Sequence, residues 1–160
     1  MKVLIVSQNF WPESFRSNDI AFELAKRGYE VDVLAGIPDY PKGSYYHGYS
    51  LFSNRIQKIG GVKIYRALSI SRGQNQKWRL ALNYLSFAFF GSVWALLLAS
   101  FKSYDAVIVH APSPVTQVLP AIIAKKIRRI PLITWVLDLW PEAMTSGAGI
   151  TNKYVLSLVD

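Results

Sequence analysis

Leu80 to Phe101 is a run of 22 residues without a single charge (LALNYLSFAFFGSVWALLLASF), and strand-like apolar runs lie on both sides of it. As a helix it would be ~33 Å long, about the thickness of a hydrocarbon core. Val3–Val6 and Val31–Leu34 precede it; Ala106–Val109 and Leu132–Val136 follow it. If these four runs share one sheet, a bilayer crossing in the middle would put its strands on opposite sides. The run is therefore expected to be a crossover helix packed on the sheet with one edge free to touch lipid. A plain core helix and a spanning helix are the two alternatives.

The rest of the chain reads as strand–helix alternation. Val3-Leu4-Ile5-Val6 is continuously apolar, as for a strand covered on both faces. A helix is expected from Ser17, as its cap, to Gly28, a left-handed stop, with Asp19 in the first turn. Val31–Leu34 closes a βαβ unit. Gly36–Tyr49, with three Gly, two Pro and four Tyr, is an ordered loop. Val62–Arg66 is a half-buried strand. Ala106–His110 is another, followed by a helix start at Ser113-Pro114 and a helix closed by Lys125, Lys126, Arg128 and Arg129. Pro120 should kink that helix or delay its start. Leu132–Val136 is a fifth strand. Asn152–Asp160 has a helical pattern that stops without a cap, which suggests a piece of a longer protein. The whole, residues 1–160, is expected to be one domain: α/β, a doubly wound, mostly parallel Rossmann-like sheet.

Charge narrows the partners. The 18 basic and 10 acidic residues leave +8, and no acid occurs between Tyr40 and Tyr104. That stretch holds nine cations, so the remainder of the chain is slightly negative. A basic block beside a long apolar run suits an anionic membrane surface, through residues 42–102, better than nucleic acid. Cysteine is absent, which removes disulfides, thiolate metal sites and thiol nucleophiles. Val3–Val6 is too short for a secretory core, so a cytoplasmic address is expected.

In open α/β sheets, ligands bind beyond the carboxyl ends of the strands. Those positions gather Asn9, Trp11, Glu13, Arg16 and Asn18 after the first strand, and Tyr45 in the loop after the second. His110 and Ser113 follow the fourth, and Asp138 and Glu142 the fifth. No dinucleotide glycine fingerprint, phosphate-binding loop, nucleophile elbow or paired-aspartate metal motif occurs. Asp138 can accept a sugar hydroxyl or assist its proton transfer, or it can cap a turn. Glu142 can act beside it or favour a helix start after Pro141. The aromatic residues suit sugar faces or loop anchoring equally.

Several stretches, in order, carry a family resemblance. They are Lys2–Val6 with Phe10-Trp11-Pro12-Glu13, and Leu24-Ala25-Lys26-Arg27-Gly28-Tyr29-Glu30-Val31. Pro38-Asp39-Tyr40-Pro41-Lys42-Gly43 with Gly48-Tyr49 comes next, then Arg66, and then Tyr84-Leu85-Ser86-Phe87. Asp105, Pro112-Ser113-Pro114 and Asp138-Leu139-Trp140-Pro141-Glu142 complete the set. The chain resembles the N-terminal domain of bacterial family 4 glycosyltransferases of the two-domain GT-B fold. It is most similar to those building O-antigen, capsule and colanic-acid-type polysaccharides, including fucosamine transferases.

The resemblance implies the acceptor-binding half of a retaining, metal-independent enzyme without a cofactor. A nucleotide sugar is the donor, held mainly by a C-terminal domain that this chain lacks, and a lipid-linked oligosaccharide is the acceptor. The loop Asn9–Asn18 would touch donor phosphates and acceptor. Asp138 falls near the active-site histidine or acid of many relatives. Where relatives carry paired glycines, Ser14-Phe15-Arg16-Ser17-Asn18 has none, and Arg16 is expected to stand in. The implied location is the inner face of the plasma membrane, as a peripheral protein, with this portion alone inactive. A sugar-nucleotide 2-epimerase and a non-catalytic membrane-docking module are the rival readings.

Overall fold

The computed structural model describes residues 1–74, 76–111 and 115–136. Its elements are β1 (Lys2–Val6), α1 (Arg16–Lys26), β2 (Glu30–Ala35), β3 (Ile56–Ile59), β4 (Val62–Arg66), α2 (Lys77–Phe101), β5 (Ala106–Ala111), a 3-10 turn (Val115–Val118), α3 (Leu119–Arg128) and β6 (Leu132–Val136). The six strands form one sheet in the order β3-β4-β2-β1-β5-β6. Every pairing is parallel except β3 with β4. The fold is α/β with a mostly parallel sheet, compatible with a Rossmann-like arrangement.

Strand alternation divides the core into two layers. Val3, Ile5, Val31, Val33 and Ile64 pack with Phe10 and with Ala21, Ile20 and Leu24 of α1. Leu4, Val6, Leu34, Val107 and Val109 pack with Phe87, Ala95 and Leu98 of α2 and Ala121 and Ala124 of α3. Asp32 interrupts the apolar pattern of β2. Its carboxylate accepts from the Tyr104 hydroxyl (2.7 Å) and the Lys102 ammonium (2.6 Å), so the buried charge is paired.

The start of α1 differs from the expected cap. The helix begins at Arg16, with extended Phe15 before it and no side-chain cap. Ser17 lies inside the helix and buried, its hydroxyl between Ser7 Oγ (3.1 Å) and the Asn9 carbonyl (3.3 Å). Those partners on the first loop take the oxygen that would have capped the helix. The other end is as expected. Gly28 has φ +86°, its N–H bonds to the Ala25 carbonyl, and Tyr29 N–H bonds to Leu24, which is the Schellman pattern.

β3 had no counterpart in the sequence reading. It is short, exposed and half polar, and reverses into β4 through Gly60-Gly61, both at positive φ. That geometry belongs to a two-residue hairpin turn.

α2 starts three residues before the uncharged run, at Lys77. It is long and apolar enough to cross a membrane by length and composition. Yet it joins β4 to β5, two strands of one sheet, so a crossing would tear the sheet apart. Phe87, Ala88, Ala95, Leu98 and Ala99 turn inward. Trp78, Leu82, Leu85, Phe89, Val93 and Leu96 turn outward, at the three- and four-residue spacing of one helix face. Gly91 lets α3 approach, because a Cβ there would lie 3.0 Å from Pro120 Cγ. Pro120 sits in the first turn of α3, after the 3-10 turn, so it sets the start of the helix rather than kinking it. The expected helix start at Ser113-Pro114 and the helical pattern at Asn152–Asp160 lie outside the described residues.

Candidate functional site

The carboxyl edge of the sheet carries three long connections. They are residues 7–15 after β1, 36–55 after β2 and 67–76 after β4. β1 leads to β2 on one side while β5 flanks it on the other, so the chain's course reverses between β1 and β5. A crevice is expected at such a point.

Glu13 organises the first two loops. It is buried, and Oε1 accepts from the N–H groups of Asp39 (2.8 Å) and Tyr40 (2.6 Å). Oε2 accepts from Phe10 N–H (3.2 Å) and Asn9 Nδ2 (3.1 Å). Burial pushes its carboxyl pKa up, against the pull of these hydrogen bonds. Asn18 works alongside. Its Oδ1 accepts from Trp11 N–H (3.0 Å) and its Nδ2 donates to the Glu13 carbonyl (2.6 Å). The structure thus places Asn9, Glu13 and Asn18 in internal hydrogen bonds that shape the loop.

Arg66, at the end of β4, is fully buried. Its guanidinium donates to the carbonyls of Trp11 (2.6 Å) and Gly36 (3.1 Å) and to Gln57, and it lies 4.8 Å from the Tyr49 ring centre. No carboxylate forms an ion pair with it among the described residues. Burial lowers its pKa, and nearby Tyr49 and Glu13 oppose that shift.

Trp11 in the first loop and Arg16 at the start of α1 face outward. They share a shallow cavity of about 390 Å³ with Phe15 and Asn18. Arg16 reaches Asp19 at 3.5 Å, one turn along the helix surface. Tyr45 is half-buried and donates its hydroxyl to the Ser69 carbonyl (2.6 Å), and burial raises its pKa.

His110 lies at the end of β5, beside the point of reversal. It is 1% exposed, and neither ring nitrogen has a hydrogen-bond partner among the described residues. The edge of Trp135 meets it at 5.8 Å between ring centres. Burial lowers its pKa, disfavouring the imidazolium form. Ser113, Asp138 and Glu142 lie outside the described residues.

The structure also builds a polar chain in which Gln8 and Asp39, expected at the carboxyl edge, are joined by Asn83, Gln117 and Arg72, which were not. Gln8 N–H points to Gln117 Oε1 (3.4 Å), and Gln8 Nε2 donates to Asn83 Oδ1 (2.7 Å). Asn83 Nδ2 donates to Asp39 Oδ2 (3.1 Å) and to the Ile70 carbonyl (2.6 Å). Asp39 Oδ2 accepts from Arg72 N–H (2.6 Å), and burial raises its carboxyl pKa. Asn83 comes from the inner face of α2, where an amide in an otherwise apolar run was the available signal. Beyond Asp39, the loops bearing Tyr40, Lys42 and Arg72, with Lys77 at the start of α2, line an open cavity of about 640 Å³. No group of three or more His, Cys, Asp or Glu side chains suited to a metal occurs among the described residues.

Neither a known family model nor a curated protein matches the chain.

Proposed function

We propose that this chain is the acceptor-binding half of a retaining glycosyltransferase, a GT-B enzyme whose N-terminal half is a doubly wound sheet. It would move a sugar from a nucleotide-sugar donor to a lipid-linked oligosaccharide in surface polysaccharide synthesis. The observation that carries this reading is the dual character of α2. Its inner face gives Asn83 to the polar chain under the carboxyl edge, while its outer face is apolar from Trp78 to Leu96. An element with a sugar-compatible side and a lipid-compatible side suits a substrate that is itself half sugar and half lipid.

The same reading assigns the remaining roles. Trp11 and Arg16 face the substrates, His110 stands buried behind them at the end of β5, and Asp138 and Glu142 supply the carboxylates near the reacting sugar. Asn9, Glu13 and Asn18 act as positioning residues. The protein works on the cytoplasmic face of the plasma membrane, held there peripherally by the outer face of α2.

The test is transfer of labelled sugar from nucleotide sugars to lipid-linked acceptors, in membranes from cells producing the intact protein. Asp138→Ala is expected to lower the rate by at least about a hundredfold, the scale of a lost acid–base group, with the protein still on the membrane. Full activity of that variant would remove Asp138 from the chemistry. Conversion of the nucleotide sugar to its 2-epimer, without transfer, would overturn the reading in favour of an epimerase.

A further inference from the structure

The cavity between the β2 and β4 loops has walls fixed by backbone. Gly43 and Gly73, both at positive φ, lie so close that a Cβ on Gly43 would sit 2.2 Å from the Gly73 carbonyl oxygen. Gly73 N–H bonds to the Gly43 carbonyl (3.0 Å), and Ser71 Oγ donates to the same oxygen (2.5 Å). Gln74 Nε2 reaches the Lys42 carbonyl (3.2 Å), and Asp39 grips Arg72 N–H from below. Two loops from different strands are therefore held as one unit, and their side chains arrive at the cavity from fixed positions.

Those side chains are cationic. Lys42, Arg72 and Lys77 line the cavity, and among the described residues no carboxylate does. The Arg72 guanidinium stacks 4.9 Å from the Tyr40 ring centre, which orients its donors. Neither Lys42 nor Lys77 forms an ion pair among the described residues. Asp39 beneath the cavity attracts Arg72 and offsets part of this charge, while the guanidinium and the two ammonium groups repel one another where they converge. The volume, about 640 Å³, admits far more than a chloride ion. A guanidinium fork with two ammonium groups matches a compact ligand with several anionic oxygens.

We infer that this cavity is a binding site for a phosphate or diphosphate group, separate from the point of reversal between β1 and β5. The inference goes beyond the glycosyl-transfer reading and stands without it. The group can belong to a soluble phosphorylated molecule or to a lipid headgroup, since Lys77 and Leu80 place the cavity at the end of α2 where its apolar outer face begins.

The probe is inorganic pyrophosphate, titrated calorimetrically into the chain at fixed ionic strength. Saturable binding is expected. The Lys42→Gln/Lys77→Gln double variant should weaken it about tenfold or more, the scale of two lost charge-assisted contacts. Lys58→Gln/Lys63→Gln removes the same charge from the exposed β3–β4 hairpin and should change it less than about twofold, as expected of screened distant charge. All variants should keep the parent's circular dichroism.

Vesicles of phosphatidylcholine with phosphatidic acid identify the source. Competition with pyrophosphate supports a headgroup ligand, and binding of pyrophosphate without such competition supports a soluble one. No saturable binding by the folded chain, or equal weakening by both double variants, would overturn the site.

Discussion

Glu13 shows how one side chain can tie two loops together. It accepts three backbone N–H groups from two loops, and its loss would leave those donors buried without acceptors. Glu13→Ala is expected to cost roughly 3 kcal/mol, at about 1 kcal/mol or more per orphaned donor, read from urea unfolding. His110 gives the pH dependence. Burial holds its pKa below the ordinary histidine value of about 6.5, so the unfolded chain binds the proton first as pH falls. Stability present above that value is then lost on acidification through the folded value. Glu13 and Asp39, with raised pKa values, act in the opposite sense, because protonating them favours the fold. His110→Phe should therefore flatten the acid-side loss relative to the parent between about pH 7 and pH 5, the carboxyl contributions cancelling in the comparison. The sequence marked both residues by position at strand ends. It could not separate the loop-organising Glu13 from a ligand-facing acid, because that depends on which distant N–H groups, Asp39 and Tyr40, come within reach.

At the scale of elements, periodicity located what is buried on two faces and missed what is not. β1, β2 and β5 were legible as apolar runs, while β3 alternates polar and apolar on an exposed edge and was marked only by Gly60-Gly61. α2 is a different case, since its length was legible but its two faces were not. It is apolar all round, so no moment in the sequence tells the inner side from the outer. Packing decides it, through small residues such as Gly91, Ala95 and Ala99 that face α3 and the sheet. The two faces make opposite predictions. Phe87→Ala removes a fully buried ring and should cost about 3–5 kcal/mol. Leu85→Ser/Phe89→Ser alters side chains that are 59% and 65% exposed and should change stability by less than about 1 kcal/mol. Thermal unfolding of the two variants reads this contrast directly. If the double variant proved as damaging as Phe87→Ala, the outer face would be covered by something in the folded molecule.

For the whole molecule, folding redistributes the charge that the linear sequence displayed. Nine cations lie between residues 41 and 103, but the structure withdraws several of them. Arg66 is buried, and Arg55 donates to the carbonyls of Leu51 and Arg66. Lys102 is committed to Asp32 and Tyr65; burial disfavours its ammonium, yet those two partners leave its pKa raised. Lys42, Lys58, Lys63 and Lys77 remain exposed. In their place α3 and its C-cap contribute Lys125, Lys126 and Arg129, and Arg128 bonds to the Ser100 carbonyl (3.1 Å) at the far end of α2. α2 thus has a cation at its start, Lys77, and a second, Arg128, hydrogen-bonded at its far end. This is a spatial arrangement that residues 42–102 alone could not reveal, because half of it comes from a later helix.

Under the proposed membrane docking, the two contributions separate by salt. Each exposed Lys or Arg near an anionic surface adds about 1 kcal/mol, which screening removes, while insertion of the apolar face is insensitive to screening. Co-sedimentation with anionic vesicles should therefore fall steeply with salt and level off at the value for neutral vesicles. Leu85→Ser/Phe89→Ser should lower that plateau, and Lys125→Gln/Lys126→Gln should reduce only the salt-sensitive part. A plateau of zero in the parent chain would mean that the outer face of α2 does not enter lipid. Attachment would then rest on charge alone.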